Sequence, residues 1–76
     1  MSIQKKINPL SNRLLTTILE RNMQTSTRAL ILETIVLSEN QDEMTIKMQE
    51  IMDSSQSEEE ILEKVEAYYQ AIKGKN

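Results

Sequence analysis

Only one glycine and one proline occur in this chain, Gly74 and Pro9, and both lie near its ends. Tight hairpins need residues that tolerate positive φ, and the 64 residues between those two offer no glycine for the purpose. Leu, Glu, Lys, Gln, Met and Ala, the good helix formers, fill most of the remainder. The chain therefore reads as all-α: a single helical domain over residues 1–76, with three or four short helices in a compact antiparallel bundle. Residues 1–8 and 74–76 are expected to be flexible ends.

The first helix is expected to start near Asn8, which can cap with Pro9 at the first helical position, or slightly later with Ser11 as the cap. Leu10, Leu14, Leu15, Ile18 and Leu19 then recur at helical spacing on one face, opposite Asn12, Arg13, Thr16 and Glu20. The polar stretch from Asn22 to Thr27 predicts a turn. Residues 28–38 put apolar side chains around nearly the whole circumference of a helix, which predicts the central, most buried element. A strand is the competing reading, because Ile31, Ile35 and Val36 are β-branched, but no partner strand exists elsewhere.

Residues 39–43 are either the exposed surface of one long helix or a break capped by Asn40 with Glu43; the break is favoured. Met44, Met48, Ile51 and Met52 share a face of the helix that follows, with Ile46 on the opposite side. In the unbroken alternative, residues 30, 37, 44 and 51 form a seven-residue apolar repeat, but polar residues occupy the companion positions, so a regular coiled coil is not expected. The last helix has the clearest start: Ser57 and Glu60 form a capping box, and Ile61, Leu62, Val65, Tyr68, Tyr69 and Ile72 form its stripe. Glu58, Glu59 and Glu60 suit the positive end of its dipole, and Gly74 is expected to stop it. Helices one, two and four are expected to bury their apolar faces together.

Chemistry is limited by what is missing. His and Cys, the side chains best suited to proton transfer and nucleophilic attack near neutral pH, are both absent. Neither the Glu-x-x-His pairs of a di-iron bundle, nor the acidic loop with glycine of an EF-hand, nor a glycine-rich phosphate loop occurs. No enzyme activity, cofactor, metal or small-molecule substrate is expected. The longest apolar run, Ala29 to Leu32, is far short of the roughly 20 residues that span a bilayer. Residues 7–13 lack the apolar run of a secretion signal. A chain free of cysteine suits a reducing cytoplasm.

A core without Phe or Trp, in a chain this short, leaves little apolar volume for self-sufficient folding. Disulfides are impossible, so help has to come from another protein chain, a second copy or a different partner, with dimerisation completing the core. The leading functional expectation is a small interaction protein of the regulator, cochaperone, antitoxin or inhibitor type, acting through a helical apolar surface. Met44, Ile46, Met48, Met52, Tyr68 and Tyr69 are its candidate contact residues, since methionine adapts to varied surfaces and tyrosine suits a core or interface rim.

The alternative is a nucleic-acid-binding regulator. Residues 1–28 carry a net charge of +4 and residues 29–76 a net −7. Lys5, Lys6, Arg13, Arg21 and Arg28 could face phosphate. Against this stand the overall pI of about 4.9, the lack of stacking aromatics nearby, and a second helix too apolar to enter a groove.

Overall fold

The computed structural model describes residues 9–75, except for the side chain of Lys75. The expectation for residues 1–8, and that for Asn76, fall outside the described residues. Four helices make up the rest: α1 (Pro9–Arg21), α2 (Thr25–Leu37), α3 (Gln41–Ser54) and α4 (Glu58–Lys75). No strand occurs among the described residues. The molecule is a flattened helical globule of 45 × 32 × 20 Å.

Local chemistry explains where each helix begins and ends. Pro9, the first described residue, is already helical and lies in the first described turn of α1, where its missing N–H costs little. Asn22 ends it in the left-handed region at φ 55°, a conformation asparagine tolerates better than most residues. The turn is shorter than the polar run predicted: it covers only residues 22–24, and Thr25, Ser26 and Thr27 form the first turn of α2. Met23, buried within the turn, pins it to the core.

Ser38 closes α2 by donating its hydroxyl and its N–H to the Ile35 carbonyl, at 2.7 and 3.2 Å. Asn40 caps α3 by accepting the Glu43 N–H at 3.0 Å, so residues 28–53 form two helices. Ser57 accepts the Glu60 N–H at 3.2 Å, while the Glu60 carboxylate reaches back to the Gln56 N–H at 3.0 Å, one residue before the expected box partner. Gly74 does not stop α4: its φ is not positive, and the helix continues through it to Lys75.

The arrangement around the core differs from the expectation in one respect that bears on function. The central helix is α3, which packs against α1, α2 and α4, whereas α1 packs mainly on α3 and has little contact with α2 or α4. The core consists of Leu14, Ile18, Met23, Ile31, Met48, Ile51, Met52, Ile61 and Val65. Only Ile31 in that set comes from α2. The other fully buried positions of α2 are Thr27 and Thr34.

Burying a hydroxyl is costly unless it is bonded, and both are. Thr34 donates to the Leu30 carbonyl of its own helix at 2.7 Å and Thr27 to the Glu58 carboxylate at 2.6 Å. Thr45 of α3 does the same with the Gln41 carbonyl. A helical threonine satisfied this way presents a small β-branched apolar surface, so its side of α2 packs inward although it reads as the more polar one.

Candidate interaction surface

Because Thr27, Ile31 and Thr34 turn inward, the opposite side of α2 is left without cover by the described residues. Thr25, Ala29, Leu32 and Val36 follow one another along it at spacings of four, three and four residues, all exposed. Val36 is 66% exposed and Leu32 41%, and Leu37 beside them is 42% exposed. No charged residue interrupts this ridge. Arg28 flanks it on one side and Glu33 on the other.

A second strip that the described residues leave uncovered lies on α1. Leu14 and Ile18 are buried, but Leu15 and Leu19, on the adjoining edge of the same apolar face, are 46% and 69% exposed. The expected stripe of α1 is thus half used, since α3 covers one side and no other helix packs extensively on the rest.

The six contact residues expected from the sequence do not assemble into one surface. Met48 and Met52 are wholly enclosed in the core, where no partner can touch them without opening the fold. Met44 is half-buried and borders a groove of about 290 Å³ with Leu37, Glu43 and Ile72. Ile46, 43% exposed, borders a smaller groove of about 150 Å³ between α1 and α3 with Leu10, Arg13 and Glu50.

Tyr68 is half-buried against the core, with the Lys47 ammonium 6.0 Å from its ring centre. Tyr69, also half-buried, donates to the Glu33 carboxylate at 3.2 Å and lies under Lys73 at 5.4 Å. Sequence reasoning missed Leu32, Val36 and Leu37 as surface residues. The available signal was the seven-residue spacing of Thr27 and Thr34, which marks a second, threonine-lined stripe on a helix that looks uniformly apolar.

The arginines of the basic third are largely engaged within the fold. Arg13 pairs with Asp53 at 3.2 Å. Arg21 donates to the carbonyls of Met52 and Ser55, the latter at 3.0 Å, and so closes the C-terminal end of α3, where cations are favoured. Gln49, buried between α1 and α3, donates to the Thr17 hydroxyl at 2.9 Å and to Asp53 at 3.1 Å. Three enclosed atoms, Arg28 Nε, Gln49 Oε1 and Ser55 Oγ, have no hydrogen-bond partner among the described residues.

Glu60 is held below its ordinary carboxyl range by the Gln56 N–H first and by Lys64 second. No group of three potential metal ligands comes together, and no helix is long and apolar enough to cross a membrane, among the described residues. Comparison with protein-family models, with characterised proteins and with solved structures returned no match for this chain.

Proposed function

We propose that this chain is a small, non-catalytic protein-protein interaction protein that works by presenting the uncovered apolar ridge of α2 to another protein chain. The observation that carries the reading is the exposure of Leu32 and Val36 on a helix whose opposite side already supplies its share of the core. A run of exposed aliphatic residues uninterrupted by charge costs solubility, and its common use in a folded protein is a contact surface. A chain lacking His and Cys has poor means for acid-base or nucleophilic chemistry, which favours binding over catalysis. The same lack of cysteine suits a regulator working in the reducing cytoplasm.

The nucleic-acid alternative gains little from the described residues, because Arg21 donates to two carbonyls at the end of α3 and Arg13 pairs with Asp53, while Lys5 and Lys6 lie outside the described residues. A salt titration of any complex separates the two readings: phosphate contacts weaken steeply as salt rises, whereas an apolar contact barely responds.

The direct test is site-specific photocrosslinking in the cells that express the protein. A photoreactive residue at position 36 should give a discrete covalent product with a protein, and one at position 66, on the exposed side of α4, should not. If position 36 yields no product while the chain is folded and expressed, the reading fails.

A further inference from the structure

We infer that the occupant of the α2 ridge is a second copy of this chain, joined through a parallel, two-fold pairing of α2 with α2. The inference rests on the interaction reading above and adds the partner, the register and the orientation. Three features of α2 lead to it.

First, the ridge has the composition of a short two-stranded seam. With Ala29 and Val36 at the first apolar position of the seven-residue register and Thr25 and Leu32 at the second, Val36 and Leu32 match the pairing of a β-branched residue with a leucine that favours two parallel strands, and the small side chains of Thr25 and Ala29 fill the other two positions. Ala29 in the middle lets the two backbones approach closely.

Second, the ridge lies diametrically opposite Thr27, Ile31 and Thr34, so α3 and α4 stand behind it and leave room for a second helix in front.

Third, the flanking charges complement themselves in one orientation only. Arg28 and Glu33 sit on opposite flanks, five residues apart. In a parallel pair each Arg28 faces the Glu33 of the other copy, giving two reciprocal ion pairs. In an antiparallel pair the same flanks meet, so Arg28 approaches Arg28 and Glu33 approaches Glu33. Within one copy Arg28 has no ion pair among the described residues, and Glu33 receives only the Tyr69 hydroxyl. A 13-residue helix buries less than the roughly 800 Å² per partner of a standard interface, so the pair is a reversible, concentration-dependent dimer.

The test uses the full chain in sedimentation velocity over a wide concentration range, with helicity checked for every variant. The wild type should shift from monomer to dimer as concentration rises. Val36→Lys should raise the dissociation constant at least about tenfold with helicity unchanged. R28E and E33R should each weaken the dimer, and the double variant R28E/E33R should restore it to within about twofold.

The chain has no cysteine, so orientation can be read by oxidation: Val36→Cys alone should form a disulfide-linked dimer readily. A species that stays monomeric at every concentration overturns the second copy as occupant; a photocrosslink from position 36 to a different protein would then leave the interaction reading standing. A dimer unaffected by Val36→Lys places self-contact elsewhere and overturns the assignment to α2. Cross-linking of Thr25→Cys to Val36→Cys in a mixture, without either self-linking, overturns the parallel geometry.

Discussion

The Glu58 carboxylate accepts a 2.6 Å hydrogen bond from the hydroxyl of Thr27, a residue 31 positions earlier that is itself enclosed in the core. The same carboxylate accepts the backbone N–H of Gln24 at 3.1 Å. Gln24 precedes α2 and caps it with no side-chain bond of its own, so the first residue of α4 serves as the N-terminal cap of α2. An anion there also meets the positive end of the α2 dipole.

Removing that carboxylate leaves a buried hydroxyl and a helix-terminal N–H unpaired. Glu58→Ala should cost about 2 kcal/mol, a drop in Tm of roughly 10 °C for a domain of this size. Glu59→Ala, next to it but exposed and without such partners, should change stability by less than about 0.5 kcal/mol. Urea unfolding of both variants compares them directly, and equal midpoints would show that Glu58 does not cap α2.

Glu60 provides a pH signature. Its carboxyl is depressed below the ordinary 4.5 because its ionised form accepts the Gln56 N–H and pairs with Lys64. A depressed folded-state pKa means that the folded chain holds this proton less readily than the unfolded chain. The stabilisation is therefore present above pH 4.5 and is lost as pH falls through the lower, folded-state value. Glu60→Gln should be less stable than the wild type at pH 7, and the gap between them should close on acidification. Urea midpoints taken across that range check the sign, and a gap that widens in acid would contradict it.

The parts of the fold legible in the sequence are those decided within a few residues. Asn40 at a break and Ser57 with Glu60 at a helix start are local backbone events, and each appears where the residues put it. The choice of central helix was not legible, because it depends on which side of α2 faces inward. Two sides of α2 are similarly apolar once Thr27 and Thr34 bond their hydroxyls, and the decision belongs to what α3 and α4 present. The methionines illustrate the same limit. Their shared face on α3 was legible, but the spacing is identical for a core seam and an exposed ridge, and enclosure of Met48 and Met52 follows from α1, α2 and α4 closing around α3. Glu58 and Arg21 act across 31 or more residues, beyond the reach of any spacing argument.

Arg21 and Arg13 should separate sharply on substitution. Arg21 is part-buried and donates to two carbonyls at the end of α3, so Arg21→Ala leaves both without that donor and loosens the hold of α1 on α3. A loss of about 2 kcal/mol is expected, as for hydrogen bonds to a charged group. The Arg13–Asp53 pair is at least half exposed on both sides, and Arg13→Ala should cost under about 1 kcal/mol. Hydrogen exchange in α1 reads the difference locally: protection should fall with Arg21→Ala and hold with Arg13→Ala.

Truncation along α3 and α2 tests which apolar residues hold the fold and which face outward. Met48 is fully enclosed and surrounded by the helices that converge on α3. Met48→Ala removes its packing and leaves a cavity, at a cost of about 2–5 kcal/mol, a large share of what a domain this small can hold in reserve. Val36→Ala and Ile46→Ala remove comparable apolar volume from positions where much of the side chain already meets water, and should each cost under about 1 kcal/mol in the monomer. Measured at a concentration low enough to suppress association, denaturant midpoints should fall steeply for the first variant and little for the other two. A Val36→Ala loss as large as that of Met48→Ala under those conditions would mean that the ridge is part of the core of a single copy, and both the interaction surface and the dimer built on it would have to be abandoned.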